Sequence, residues 1–275
     1  MMRHVLGTLG TVFSAFSFVA CMAGEAPQDV DQETGEELVS EAEQAIKNGT
    51  PADAGEAMVV RVSSPDASCT GTLISSSRVV TAAHCLTSNN PASYTVTYAG
   101  TTRFVWQILR HPDADDGVDV GMLVLSSAFP LGELTEYPQV NVSDTDHLIG
   151  RQVTCYGYGK QDVGGACTSN AQCAAGFTCD TRPDYMRCFK SSAILRKGTF
   201  SVISDPDDDD IWFQLDVPNA SGQLLLPGDS GGPCILDNPD WGTKHLVGVN
   251  MSSNFSSISV ATSREAFASW VLAND

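Results

Sequence analysis

A serine set among glycines, Gly228-Asp229-Ser230-Gly231-Gly232-Pro233, holds the clearest chemical potential in this chain. Flanking glycines let the backbone turn tightly, and the N–H groups of such a turn can point at a reacting carbonyl oxygen. His84, in Thr81-Ala82-Ala83-His84-Cys85, offers an imidazole able to take a hydroxyl proton near neutral pH. Asp119, in Val118-Asp119-Val120-Gly121-Met122-Leu123-Val124-Leu125, offers a carboxylate that can orient that imidazole and stabilise its cation. Together these types suit nucleophilic acyl transfer. Each alone has a blander reading. Glycine-rich turns are commonly structural, and a single histidine is commonly a surface or core residue. Of the five histidines only His84 sits in such a pattern. His111, followed by Pro112, reads as structural, while His4, His147 and His245 have no motif around them.

In these three motifs, and in their order His, Asp, Ser, the chain resembles the trypsin-like (chymotrypsin-fold) serine proteases over 46–275. The resemblance implies an all-β fold of two antiparallel six-stranded barrels with a short C-terminal helix. It implies that Ser230 is the nucleophile, that His84 takes and returns its proton, and that Asp119 holds His84. The N–H groups of Gly228 and Ser230 would form the oxyanion hole. The implied substrate is a protein or peptide, with no cofactor and no metal.

The same resemblance extends to control and specificity. Ala45-Ile46-Lys47-Asn48-Gly49-Thr50 is similar to the family's activation junction, where cleavage frees an ammonium that pairs with the aspartate before the nucleophile. Here the pair would be Ile46 and Asp229. Ala45 replaces the usual basic residue, so a separate activating protease is the implied partner. Leu224, six residues before the serine, would lie at the base of the primary pocket, where the family's aspartate selects Lys or Arg. A leucine there favours an apolar or small residue, because a buried cation would go unpaired. The opposite wall, usually Ser-Trp-Gly, reads Asn250-Met251-Ser252-Ser253; Met251 or Ser252 aligns with the family serine, and Ser252 and Ser253 are the candidate wall residues.

Elements that would position these groups are short apolar runs broken by Gly, Ser, Asn and Pro, which mark an all-β chain. Strands are expected at Met58–Val62, Thr70–Ser75, Val79–Ala82, Thr95–Tyr98, Val105–Leu109 and Val120–Leu125. A second set is expected at Val153–Tyr156, Ala193–Ile203, Ile211–Leu215, Pro233–Leu236, Leu246–Asn250 and Ile258–Ala261. Thr262 and Glu265 make a capping box, and Phe267, Trp270 and Val271 make the apolar face of a final helix.

Nine cysteines speak for an oxidising compartment. The family has a disulfide at the spacing of Cys69 and Cys85. It also links the strand entering its Gly-Trp-Gly turn, here Gly157-Tyr158-Gly159, to the strand leaving the serine turn. Cys155 is displaced two residues later and Cys234 two earlier. Opposed positions in an antiparallel pair have a constant sum, so these shifts cancel and leave the two on one face. Residues 164–188 read as an insertion stapled by Cys167, Cys173, Cys179 and Cys188. Its spacings lack a CxxC pair, which disfavours zinc, and four cysteines allow three pairings. The preferred one is 167–179 with 173–188. Substrate or partner recognition and plain resistance to proteolysis are equal readings of this module.

Residues 1–20 read as an export signal ending in Phe18-Val19-Ala20-Cys21, similar to a bacterial lipobox with Cys21 acylated. Cleavage after Ala23 is the alternative. Residues 22–45 are acidic, either a solvated tether or a propeptide. A net charge of −18 argues against nucleic acid and against electrostatic binding to anionic lipid. The run Asp207–Asp210 reads as a solvated loop, with calcium as the weaker reading. The expected whole is an exported bacterial serine endopeptidase made as a zymogen, secreted or held at the outer membrane or cell surface through Cys21. The alternative is a catalytically silent homologue acting as a binding module.

Overall fold

Period-2 burial builds this molecule, and β13 is its clearest case. In Arg196–Ser204, the side chains of Arg196, Phe200 and Val202 are buried while Thr199 and Ile203 face out. Such alternation seats one face on a core and leaves the other wet. A computed structural model describes residues 46–132, 135–140, 148–181, 186–204, 212–238, 243–253, 258–261 and 264–275. The expected signal, Cys21, the acidic segment 22–45, His147, Asp207–Asp210 and the capping Thr262 lie outside the described residues.

In chain order the strands begin with β1 (Thr50–Pro51), β2 (Val59–Ser63), β3 (Ser68–Ser75), β4 (Arg78–Thr81) and β5 (Thr95–Tyr98). Next are β6 (Thr101–Arg110), β7 (Gly121–Leu125), β8 (Gln139–Val140), β9 (Gln152–Gly157), β10 (Lys160–Ala166), β11 (Thr178–Asp180) and β12 (Arg187–Ser191). The last are β13, β14 (Trp212–Leu215), β15 (Pro233–Asn238), β16 (Thr243–Ser253) and β17 (Ile258–Ala261). A π-helical turn, Arg264–Ser269, leads into α1 (Trp270–Ala273).

Strands β2-β3-β4-β7-β6-β5 close into a barrel. In the second sheet, β13-β14-β17-β16-β15-β9 are paired in that order and β9 also pairs β13, so this ring of hydrogen bonds returns on itself. The fold is the double barrel with a short terminal helix expected for trypsin-like chains. Leu73, Val79, Val96 and Leu123 fill the first barrel. Phe200, Phe213, Leu215 and Val247 fill the second. Burying each such side chain is worth about 1.5–3 kcal/mol. A third cluster joins the barrels: Val59, Val80 and Met122 from one meet Ile235, Leu246 and Val249 from the other. Phe267 and Val271 of the terminal helix complete it, and Trp270 packs tilted against the buried His111 ring, centroids 5.4 Å apart.

Two features depart from the sequence reading. Residues 160–191 hold a separate three-stranded sheet, ordered β10-β12-β11, that reaches beyond the bounds of the 164–188 insertion. Periodicity could not reveal it, because β10 and β11 are rich in Gly, Thr and Asp rather than alternating apolar residues. The terminal helix also starts with a π-helical turn, where the i, i+3, i+4 pattern anticipated α-helix from its first residue.

Four disulfides are present: Cys69–Cys85, Cys155–Cys234, Cys167–Cys179 and Cys173–Cys188. Cys155 and Cys234 are direct register partners of β9 and β15. The last two bonds staple the small sheet, which is too short to bury a core of its own.

Candidate active site

His84 sits on a one-turn 3-10 helix, Ala83–Cys85, where β4 ends. The Cys69–Cys85 bond ties that turn to β3. Asp119 precedes β7 in a segment that turns through Gly117. Its buried carboxylate accepts the His84 backbone N–H at 2.8 Å through Oδ1. Its Oδ2 lies 2.5 Å from His84 Nδ1. An ionised Asp119 accepts only, so Nδ1 must carry the proton, which leaves Nε2 as the ring's acceptor. Both residues thus belong to the first barrel.

Ser230 lies on the turn that enters β15 of the second barrel. Gly228 and Gly231 within that turn have φ of 101° and 78°, which side chains with a Cβ rarely adopt. The Asp229 N–H bonds the Leu226 carbonyl at 2.9 Å, and the Gly232 N–H bonds that of Asp229 at 2.9 Å. Asn250 clamps the turn from β16: its carbonyl accepts from Gly231 at 2.7 Å and its Nδ2 donates to the Asp229 carbonyl at 3.1 Å. Among the described residues, the N–H groups of Gly228 and Ser230 donate to no protein acceptor.

Thr70 of β3, fully buried, joins the two halves. Its N–H donates to the Ser230 carbonyl and its Oγ1 to the Gly228 carbonyl, both at 2.8 Å. The same Oγ1 accepts from the Tyr158 N–H at 2.9 Å. Neither Thr70 nor Asn250 stood out in the sequence. A Thr beside Cys69 is unremarkable until the fold brings Gly228 to it.

His84, Asp119, Ser230 and Gly228 border one cavity of about 950 Å³. Met251 borders it too, and Ser252 and Ser253 follow in β16, though their side chains are outside the described set. Leu224 is not among the bordering residues. It packs with Leu225 and Leu226 in the second barrel's core, and its backbone bridges to Lys47 at 2.9 Å.

Asp229 is buried below the turn and accepts from the N–H groups of Gly159 at 2.8 Å and Leu226 at 2.7 Å. A third backbone donor is Ile46, which is fully buried. Among the described residues no side-chain cation pairs with this carboxylate. Burial pushes its pKa up to about 7, against the opposing pull of those backbone bonds. The Gly157-Tyr158-Gly159 turn exists to let the carboxylate in: a Cβ on Gly159 would stand 2.6 Å from Asp229 Cγ. Nearby, Arg196 reaches out of the barrel core to donate to the Gly49 carbonyl at 2.6 Å, fixing the segment that follows Ile46.

The sequence profile of the trypsin family matches residues 46–271. The chain belongs to the trypsin family. A relative described as trypsin, from Saccharopolyspora erythraea, is 27% identical over 189 residues, covering 62% of this chain and 71% of its own. A trypsin-family domain is that of a serine peptidase, acting on protein or peptide. The four disulfides agree with the extracellular setting typical of this family. Among the described residues no helix is long and apolar enough to cross a membrane.

Proposed function

We propose that this protein is an exported serine endopeptidase working through His84, Asp119 and Ser230. The observation that carries the reading is the 2.5 Å contact of Asp119 with His84 Nδ1, on a cavity shared with Ser230. With Nδ1 engaged, His84 Nε2 takes the Ser230 Oγ proton as Oγ adds to the scissile carbonyl carbon. The oxygen becomes an oxyanion, which the Gly228 and Ser230 N–H groups receive. Losing one such donor typically costs ~3 kcal/mol. Collapse breaks the C–N bond, and His84 returns the proton to the leaving amine. Water, losing its proton to His84, then attacks the acyl-serine and frees the acid.

A fluorophosphonate probe tests this reading, because only an assembled site phosphonylates its serine. Labelling confined to Ser230 in protein beginning at Ile46 is the expected result. A chain left unlabelled at every pH would instead be the silent binding homologue. That alternative has less behind it, since the histidine held by Asp119 and the unoccupied turn donors would then serve no purpose.

The zymogen reading rests on Ile46 N–H at a buried Asp229, and on Ala45 as the residue an activating protease would have to accept. Export, and acylation at Cys21 with an outer-membrane or cell-surface address, rest on the N-terminal sequence alone.

Specificity follows from what lines the second barrel near the site. Leu224, Leu225 and Leu226 form an apolar cluster, so a lysine or arginine side chain inserted beside them would lose water without gaining a carboxylate. Cleavage after Leu, Phe or Ala should therefore exceed cleavage after Lys or Arg by about a hundredfold in kcat/KM. Matched fluorogenic peptides differing only at that residue measure it, and a preference for Lys or Arg would refute the assignment of Leu224.

A further inference from the structure

The disulfide-stapled sheet, β10-β12-β11, has no role in the chemistry above, yet it does not stand apart from the site. Thr178, Cys179, Asp180 and Thr181 of its β11 edge border the same cavity as Ser230 and His84. Ser191 and Ser192, where β12 leaves the sheet, border it as well. The edge is fixed from three sides. Cys179 is bonded to Cys167, and its N–H donates to Asn170 Oδ1 at 2.8 Å. Arg61 of β2 donates to the Ser192 carbonyl at 3.1 Å and lies over the Tyr158 ring at 4.9 Å. Lys160 Nζ donates to Ser191 Oγ at 2.9 Å. A wall pinned this way is preorganised, so a chain laid against it pays little ordering cost.

Which half of a substrate meets that wall follows from the proposed cut. Ser68 and Cys69, beside the disulfide that holds His84, border the cavity together with the wall, and Leu224 does not. In the specificity reading above Leu224 belongs to the acyl side of the cut, and His84 delivers its proton to the leaving amine. The wall therefore flanks the leaving-amine side. Its surface is made of hydroxyl, carboxylate, ammonium and backbone groups, with few apolar side chains.

We propose that this stapled sheet is a substrate-recognition wall for polar residues on the leaving-amine side of the scissile bond. This deepens the peptidase reading and rests on it. Interactions with residues remote from the reacting carbonyl raise kcat/KM only for substrates that possess those residues.

The experiment compares two substrates: a peptide carrying four serine- and threonine-rich residues after the scissile bond, and an ester of the same acyl part with no such residues. The proteins are the activated parent, a variant with 164–188 replaced by a short Gly-Ser turn, and the point variant Thr181→Trp, which fills the cavity while sparing every bond that fixes the wall. In both variants the ratio of peptide to ester kcat/KM should fall about tenfold. An unchanged ratio in the folded Thr181→Trp variant overturns the proposal. So does a parallel fall for both substrates, which would make the sheet a brace for the catalytic groups. A parent that fails to label with fluorophosphonate sinks the peptidase reading itself, and that failure is read before any ratio is taken.

Discussion

Replacing Ser230 by alanine is expected to lower kcat by about six orders of magnitude while leaving the fold in place. The oxygen removed is the atom that forms the acyl bond, and no other hydroxyl in the turn can substitute for it. The turn itself does not depend on that oxygen. It is held by the Ser230 carbonyl on Thr70, by Gly231 and Gly232 bonds, and by the Asn250 clamp. The change should thus move stability by no more than about 0.5 kcal/mol. Circular dichroism, the melting midpoint and burst kinetics with an active ester report the two halves of this expectation. A variant that still shows an acyl burst would remove Ser230 from the mechanism.

Freeing the Ile46 amino group should raise activity about a thousandfold over the uncut chain. In the uncut chain the Ile46 nitrogen is an amide and brings no charge to Asp229. The carboxyl, buried and pushed up to about 7, then sits in the folded state protonated where the unfolded chain would have ionised. Stability from this group is complete below about pH 4 and drains away as pH rises through about 7. A freed ammonium reverses the balance, pulling the carboxyl down and keeping the ion pair through neutral pH. The Gly228 and Ser230 donors lie on either side of Asp229, so the pair sets their aim. Full-length protein, protein starting at Ile46, and Asp229→Asn in the latter separate these effects. Raising pH from 5 to 8 should depress the melting midpoint of the uncut chain more than that of the cut one. Equal activity in all three proteins would reduce the junction to a tether boundary.

Much of the framework was legible because it is written in local patterns. Thr95–Tyr98 and Ile258–Ala261 were read with their observed ends, since alternation and flanking turn residues bound them tightly. Cys155 and Cys234 could be set opposite one another by arithmetic, because a β-ladder conserves the sum of opposed positions. What escaped notice was what depends on the meeting of distant segments. Thr70 and Gly228 are 158 residues apart, and nothing near Thr70 announces the contact. Arg196 sits in an otherwise apolar inward row, where a charge reads as a flaw in the pattern until the Gly49 carbonyl arrives. The small sheet went unseen because its strands lack apolar alternation: two staples and a few residues such as Phe189 hold it. Leu224 is read as a pocket residue from its place six residues before Ser230, and its packing with Leu225 and Leu226 is visible only in the fold.

All four disulfides join residues between Cys69 and Cys234. Of the nine cysteines in the chain, the eight in these bonds all follow Ile46, so among the described residues no disulfide crosses that junction. One hydrolysed bond at that junction would therefore leave none of these four disulfides joining the two pieces. Whatever holds the N-terminal piece keeps only that piece. Under the proposed activation and anchoring, turning the enzyme on and letting it diffuse away would be one event, so its range of action would be set by where the activating cut is made.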